Sequence, residues 1–189
     1  MLAGEKPSPN FNFSCAESGA FPHDLTVETL EKAYGKAKVE TGTVQLGEGQ
    51  SESGTILLAS APGDRAEILW KDADQKRLPR LVKISALDNE PSHWKSLGGL
   101  QLGMSLKEVE KINGRPFRLR GFGWDYSGTV SSWEGGALQK EWKGKCPLVV
   151  RFFPEQSRRD AFWKDYKSMA GERDFSSQRR SMQRLNPRI

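Results

Sequence analysis

Two segments, "LTVETLEKAYGKAKVETGTVQLG" (residues 25–47) and "MSLKEVEKINGRPFRLRGFG" (residues 104–123), decide the predicted fold. When Thr26 is placed over Ser105, a Glu-Lys pair, a glycine and three apolar positions align at an offset of 79 residues. The sequence therefore indicates an internal repeat, and each copy can be interpreted from its own physical pattern.

Each copy begins as a short amphipathic helix. Ser105 followed by Glu108 forms a capping box, and Thr26 can cap the first helix in the same way. Apolar side chains recur at helical spacing, and a glycine follows each helix where a left-handed C-cap is expected. These positions are Val27, Leu30, Ala33, Tyr34 and Gly35 in the first copy, and Leu106, Val109, Ile112 and Gly114 in the second.

After each glycine the apolar period changes from that of a helix to that of a strand. Phe117 and Leu119 are predicted to point to one side, and Arg118 and Arg120 to the other. We predict an antiparallel meander in each copy, with polar loops at residues 47–53 and 72–79 and a Pro-Gly turn at residues 61–64. The strands are "VETGTVQL", "TILLAS", "AEILWK" and "RLVKIS" in the first copy, and "GTVSSW", "ALQKEW" and "CPLVVRFF", separated by "EGG" and "KGK", in the second.

The repeats divide the chain into four parts. We predict a leader and first strand (1–24), repeat 1 (25–88), a connector with repeat 2 (89–155), and a helical extension with a basic tail (156–189). In that extension, residues 157–171 and 176–187 favour helices, the second ended by Pro187.

Composition limits the class of protein. The 189 residues carry a net charge of +5, and no apolar run approaches the roughly 20 residues of a membrane helix, so we expect no membrane insertion. The first residues contain no apolar signal core; either the protein is cytosolic or a signal peptide is not part of this chain. The two cysteines, Cys15 and Cys146, are expected as buried thiols in the cytosol or as a bridge in an exported protein.

Catalytic and metal-binding patterns are not found in the sequence. The only histidines, His23 and His93, are not at metal-ligand spacing and are interpreted as surface or capping residues. Acidic residues near one hairpin end could do acid–base chemistry, but solvated loop acids are the more common case. These residues are Asp64, Glu67, Asp72 and Asp74. We therefore predict no enzyme, no cofactor and no metal site.

The stretch "GRPFRLRGFGWDYSGTVSSWEGG" (residues 114–136) concentrates aromatic residues among glycines. One interpretation is bulges and turns whose rings pack over the sheet. Another is a partner surface, since Trp, Tyr and Arg are enriched at binding hot spots. A nucleic-acid surface is the alternative, although Asp125, Glu134 and Glu141 interrupt its basic character. The predicted partner-binding set is Phe122, Trp124, Tyr126, Trp133, Trp142, Arg118 and Arg120.

The run "GLQLGMSLKEVEKINGRPF" resembles the tandem repeat of β-lactamase-inhibitor-protein-like folds, and residues 114–136 are similar to a family of uncharacterised exported bacterial proteins. The resemblance implies an α+β fold: two tandem helix-plus-antiparallel-meander repeats forming one concave sheet, with helices on one face and the other face open to partners. It also implies a periplasmic or secreted location. From both lines of reasoning we predict a non-enzymatic module that binds a protein or envelope component, with Cys15 and Cys146 bridged.

Overall fold

The computed structural model describes residues 9–85, 90–142 and 146–189, except for the side chain of Trp142. Within these ranges the chain forms helices and antiparallel strands, which confirms a mixed α and β protein. It divides into two compact units, Met1–Trp94 and Lys95–Ile189, and the boundary lies inside the predicted connector.

The first unit contains helix α1 (Val27–Tyr34), which starts where the sequence predicts. The Thr26 hydroxyl accepts a hydrogen bond from the Thr29 N–H at 3.2 Å, which satisfies one of the open N–H groups at the helix start. Gly35 ends the helix with a φ of 96°, a conformation that residues with a Cβ rarely adopt.

Four antiparallel strands follow in chain order: β1 (Val39–Gly47), β2 (Gln50–Leu57), β3 (Ala66–Asp72) and β4 (Arg77–Ile84). All four were predicted. The polar loop predicted at residues 47–53 is wrong, because β2 begins at Gln50. Only Glu48 and Gly49 form the turn, and both have positive φ, as a two-residue hairpin turn of this hand requires.

Both faces of this sheet carry buried apolar residues. Leu57, Ile68 and Trp70 pack in one cluster with Leu30 and Tyr34 of α1. On the opposite side of the strands, a second cluster is formed by Val44, Ile56 and Leu69, each less than 5% exposed. The expectation of an open face does not hold for this part of the sheet.

The second unit contains helix α2 (Leu106–Asn113), whose first and last residues lie 79 positions after those of α1. Its capping box is complete: Ser105 N–H donates to Glu108 Oε2 at 2.8 Å, and Glu108 N–H donates to Ser105 Oγ at 3.4 Å. Hydrogen bonds from the hydroxyl and the N–H of Ser105 lower the pKa of Glu108 below its ordinary value. Gly114 adopts the predicted left-handed C-cap.

A separate sheet of three strands follows, with β5 (Arg118–Arg120) between β6 (Val130–Ser132) and β7 (Asp174–Ser176). The predicted alternation along β5 is confirmed, because Leu119 is fully buried and Arg118 is exposed. Strand β7 was not predicted. The described strands form two sheets, so the predicted single concave sheet is not confirmed. The tandem repeat is not confirmed either, because α1 and α2 correspond but the strands that follow them do not.

The predicted strand "ALQKEW" is wrong, because its residues form helix α3 (Gln139–Trp142). The cause is Asn113, a buried residue at the end of α2. Its carboxamide oxygen accepts from the Leu138 N–H at 3.2 Å, and its carbonyl accepts from the Ala137 N–H at 2.9 Å. These bonds turn the chain back over the helix end, and Gln, Lys and Glu then favour a helix.

The segment predicted as the strand "CPLVVRFF" forms no named strand. It joins its neighbours through single bridges, Thr129 with Arg151 and Phe153 with Arg188. The turn "KGK" (residues 143–145), predicted before it, lies outside the described residues. The predicted turn at residues 134–136 is present, with Gly136 N–H donating to the Trp133 carbonyl at 2.9 Å.

The C-terminal part completes the second unit. Helices α4 (Gln156–Ala161) and α5 (Trp163–Ser168) occupy the predicted helical region with a break at Phe162, and α6 (Arg180–Leu185) ends before Pro187 as predicted. Met169, Phe175, Met182 and Leu185 are buried in the core of the unit. The residues predicted to be an extension with a solvated basic tail therefore belong to the folded body.

The N-terminal segment of the described chain packs around one tryptophan. Phe11, Phe13 and Phe21 have ring centroids 4.9, 6.4 and 5.1 Å from that of Trp94, which is fully buried. Residues 9–24 form no named strand, so the strand predicted there is not found, and residues 1–8 of the predicted leader lie outside the described part. Cys15 and Cys146 are at disulfide distance and bonded, as predicted for an exported protein.

Candidate binding surface of the second unit

Charge is divided unevenly between the two units. The first unit has 10 Lys and Arg against 14 Asp and Glu, which gives −4; the second has 19 against 10, which gives +9. The overall charge of +5 conceals this contrast. A positive surface attracts anionic groups and speeds their encounter.

Two of the predicted partner-binding residues are core residues. Phe122 is 1% exposed and Trp133 is 2% exposed, and both belong to the apolar cluster of the second unit. They are removed from the predicted surface, because a fully buried ring offers no area to a partner. Trp142 ends α3, but its side chain lies outside the described residues.

The loop that follows Phe122 is closed by its own hydrogen bonds. Gly128 N–H donates to the Gly121 carbonyl at 3.2 Å, and Gly123 N–H donates to Ser127 Oγ at 3.1 Å. The indole Nε1 of Trp124 also donates to the Gly121 carbonyl, at 3.0 Å. Gly128 has a φ of 68°, and a Cβ there would lie 1.9 Å from the Phe152 carbonyl oxygen. Only glycine fits this closure.

Arg151 fixes the same loop from the neighbouring segment. Its Nη2 donates to the carbonyls of Asp125 at 2.7 Å and Ser127 at 3.2 Å, and its Nε donates to Ser127 as well. The guanidinium also lies 5.3 Å from the ring centroid of Phe153. Arg151 was not predicted as a site residue, since nothing in its local sequence pattern distinguishes it from other arginines in predicted strands.

This loop and the neighbouring segment of Arg151 present aromatic side chains to solvent. Tyr126 is 60% exposed, Phe153 is 53% exposed, and Trp124 is half-buried with its ring centroid 5.3 Å from that of Tyr126. We call Trp124, Tyr126, Arg151 and Phe153 the loop patch. Its backbone is held by at least six hydrogen bonds, so the rings are carried on an ordered support.

A stack of three rings leads from the core to another exposed aromatic residue. Phe122 stacks on Tyr166 at 5.8 Å, and Tyr166 stacks on Trp163 at 5.6 Å. Trp163 is 50% exposed, with Lys167 Nζ 5.4 Å from its ring centroid. Phe122 is therefore the internal support of this stack, which explains its burial.

Cations lie against several rings of the second unit. Arg159 lies 5.7 Å from the ring centroid of Tyr166, and Arg173 and Arg179 lie 5.7 and 5.1 Å from that of Phe175. Among the described residues these three arginines have no carboxylate within ion-pair distance. Their charge is available to an acidic group from outside.

The two predicted arginines of β5 have different surroundings. Arg120 pairs with Asp174 at 3.3 Å and donates to the Glu172 carbonyl at 3.2 Å. Arg118 is exposed, and its side chain donates to the Asp174 carbonyl at the long distance of 3.4 Å. Neither contacts the loop patch in the described structure.

The acidic residues considered for catalysis have structural partners. Burial alone would raise the pKa of Glu67, but its bonds to Lys83 and Arg65 lower it below the ordinary value. Asp72 binds Arg77 at 2.8 Å and the Gln75 N–H at 3.1 Å, and these bonds lower its pKa. Asp74 is exposed in the turn.

Asp64 forms the least expected contact in the first unit. It is buried and accepts hydrogen bonds from the backbone N–H of His93 and pairs with His93 Nδ1, each at 2.7 Å. Its carbonyl accepts from Trp94 Nε1 at 2.8 Å. Asp64 thus anchors the segment that carries the core tryptophan. The His93 side chain is 73% exposed, and His23 is also exposed.

Within residues 9–85, 90–142 and 146–189, no helix is long and apolar enough to cross a membrane, and no group of three metal-ligating side chains comes together. Comparisons with family models, curated proteins and solved structures give no match to the chain. The resemblance to β-lactamase-inhibitor-protein-like folds stays a prediction, and the function has to be inferred from the site.

Proposed function

We propose that the chain is a non-catalytic binding module whose second unit holds an acidic protein partner through the loop patch. The observation that carries this proposal is the exposure of Tyr126, on a loop held by Arg151, and of Phe153, whose ring lies beside the Arg151 guanidinium. Large exposed rings on an ordered loop lose little entropy on binding, which is the property of hot-spot residues.

The charge of the second unit supports an acidic partner. Its net +9 and its arginines without carboxylate partners would draw acidic groups to the rim, while the rings supply apolar area at the centre. We extend the proposal to an exported protein, because a disulfide between Cys15 and Cys146 persists in oxidising compartments.

Nucleic acid is the second candidate, favoured by the same +9 charge. Against it, the rings of the loop patch already have partners within the chain: Arg151 lies over Phe153, and the ring of Trp124 lies 5.3 Å from that of Tyr126. Base stacking needs an open ring face. Carboxylates of a protein partner need only the outward edges of the guanidinium groups.

The test places a photo-reactive benzoylphenylalanine at position 126 and crosslinks the protein in envelope and cytosolic extracts, with and without nuclease. The captured protein is then purified, and its affinity is measured for wild type, Trp124→Ala/Tyr126→Ala and Leu97→Ala. Leu97 is the matched control, because it is 64% exposed in the same unit but outside the patch. Near-UV circular dichroism checks that each variant is folded.

We expect the double variant to bind at least about tenfold more weakly and Leu97→Ala to bind like wild type. A Kd that rises with salt would support an acidic partner. Nuclease-sensitive capture would move the function to nucleic acid. Equal binding by all three proteins would exclude the loop patch as the contact.

A further inference from the structure

The sheet of the first unit has an open edge along β1. This strand pairs with β2 on one side, and the Leu58 N–H donates to the Lys38 carbonyl at 2.8 Å where that pairing starts. Because bonded residues alternate along antiparallel strands, every second residue of β1 after Lys38 bonds to β2, and the residues between them face outward. The outward residues are Val39, Thr41, Thr43 and Gln45.

Most of the outward backbone groups of β1 have no partner within the described chain. Thr41 and Thr43 are exposed, and no described residue bonds their N–H or carbonyl groups. Two groups nearer the ends are satisfied: the Val39 N–H donates into the preceding turn, and the Gln45 carbonyl accepts from Lys83 Nζ at 3.1 Å. The open groups form a template on which another strand can pair.

The opposite edge of the same sheet, along β4, is protected against strand addition. Its first residues bond to the segment before α1, with the Leu78 N–H donating to the Leu25 carbonyl at 3.0 Å. It also carries Pro79, a bulge and several Arg and Lys residues, which all oppose pairing with another strand. In contrast, β1 contains no proline, lysine or arginine, and its pairing becomes irregular only after Gln45.

We propose that two molecules of this chain form a dimer by pairing their β1 strands antiparallel, about a two-fold axis at Gly42. In this register Thr41 lies opposite Thr43 of the second molecule, and the N–H and carbonyl groups of the two threonines bond each other. The Gln45 N–H bonds the Val39 carbonyl of the second molecule. The two groups that would complete this last pair are the two already satisfied within the chain.

The neighbouring registers fit less well. An axis at Thr43 would place Thr41 opposite Gln45, whose carbonyl is already bonded within the chain. An axis at Thr41 would bring the Glu40 side chains of the two molecules into diagonal contact, where like charges repel. The proposed axis keeps these carboxylates apart and creates two cross-strand threonine pairs, which stabilise a sheet.

The same geometry explains why the occupant is a second molecule of the chain. A two-fold axis makes the two open edges complete each other, and the combined sheet ends in the protected β4 on both sides. Association therefore stops at the dimer. The proposal is independent of the loop patch, which lies in the second unit.

The test measures sedimentation of the folded 189-residue chain, with its disulfide intact, at rising concentrations. Two variants differ only at position 43. Thr41→Glu/Thr43→Glu places like charges opposite each other across the proposed axis, and Thr41→Glu/Thr43→Lys places opposite charges there. Ser51→Glu/Ser53→Glu is the control for charge, because both serines are exposed on β2, one strand in from the edge. Near-UV circular dichroism checks that each variant is folded.

We expect wild type to dimerise with a Kd on the order of 100 µM, because a single strand pair buries a small area. Thr41→Glu/Thr43→Glu should raise this Kd at least about tenfold, whereas Thr41→Glu/Thr43→Lys should leave it unchanged or lower it. Ser51→Glu/Ser53→Glu should stay within about threefold of wild type. Hydrogen exchange of the Thr41, Thr43 and Gln45 amides should slow as the dimer fraction rises.

The proposal is overturned if wild type stays monomeric up to about 1 mM, which would leave the edge to an extended segment of another protein. It is also overturned if the dimer survives Thr41→Glu/Thr43→Glu, because the contact would then lie on another surface. Equal loss in both position-43 variants would exclude the axis at Gly42. Equal weakening by Ser51→Glu/Ser53→Glu would show that the dimer responds only to net charge.

Discussion

Leu119 and Phe175 lie opposite each other on adjacent antiparallel strands, although 56 positions separate them in the chain. Both are buried, and the pair joins β5 to β7, a strand of the C-terminal part. Cross-strand pairs of this kind stabilise a sheet through side-chain contact. The C-terminal residues are therefore needed for the fold of the second unit.

The first prediction concerns Leu185, which is fully buried in α6. Replacing Leu185 with Ala should lower the free energy of unfolding of the second unit by about 3 kcal/mol, because a cavity remains in the core. Urea unfolding followed at the Met182 methyl resonance measures this. Arg180→Ala, on the exposed side of the same helix, should change it by less than about 0.5 kcal/mol. Equal stability of Leu185→Ala and wild type would mean that the C-terminal part is an appendage.

The second prediction concerns Arg151. Replacing it with Met removes donors to the carbonyls of Asp125 and Ser127, so the loop patch should lose order. We expect hydrogen exchange of the Ser127 and Thr129 amides to become at least about tenfold faster. Arg180→Met changes the charge equally and should leave these amides unchanged. If these amides stay protected from exchange in Arg151→Met, the hydrogen bonds of Gly123 and Gly128 are sufficient to order the loop.

The third prediction concerns the disulfide. Without reduction, denatured protein should take up no iodoacetamide, and two adducts should appear after reduction. The loop between Cys15 and Cys146 is long, so the chain-entropy argument assigns the bridge about 4–5 kcal/mol. The Cys15→Ser/Cys146→Ser variant should unfold at a lower urea concentration. Two adducts before reduction would contradict the bridge and favour a cytosolic location.

The fourth prediction concerns pH and Glu67. Because its folded pKa lies below the ordinary 4.5, the unfolded chain takes up a proton first as the pH falls. The stabilisation is therefore present above pH 4.5 and is lost below it. At pH 7 the Glu67→Gln variant should have a lower free energy of unfolding than wild type. This difference between the two proteins should become smaller as the pH falls. Urea unfolding followed at the Ile68 methyl resonance measures the stability of the first unit.

Glu52→Gln is the matched control for that experiment, since the Glu52–Arg80 pair is nearly half exposed and such pairs contribute little. A pH dependence identical in wild type and Glu67→Gln would show that the Lys83 and Arg65 contacts do not favour the carboxylate.

The fifth prediction concerns Tyr34, whose burial raises its pKa to about 12. Its hydroxyl donates to the Asn10 carbonyl. An unfolded tyrosine ionises near pH 10, so ionisation should favour unfolding between about pH 10 and 12. Absorbance of the phenolate at high pH should show one late step that Tyr34→Phe lacks. Superimposable titrations of the two proteins would contradict the burial.

The predictable parts of this fold are those decided by neighbours in sequence. The capping box of Ser105 and Glu108, the glycine ends of α1 and α2, and the alternation along β5 need only residues within one or two turns. Their hydrogen bonds and steric limits are local, so the sequence already contains every atom involved.

The exposure of the candidate site was decided by tertiary structure. Phe122, Trp133 and Tyr126 are all aromatic residues of one segment, yet the first two are in the core and the third is at the surface. Phe122 stacks on Tyr166, and Trp133 packs against Phe117, which in turn stacks on Phe152. Tyr166 and Phe152 come from later parts of the chain. The segment predicted as the strand "ALQKEW" likewise forms α3, because Asn113 accepts hydrogen bonds from the N–H groups of Ala137 and Leu138.

From the sequence alone came the two capped helices, the four strands of the first unit and the cysteine pair. Only the tertiary structure revealed β7 and the hydrogen bonds by which Arg151 holds its loop. The physical reason is distance along the chain. Helix caps and strand periods arise from adjacent residues, whereas burial arises from residues brought together only when the core forms.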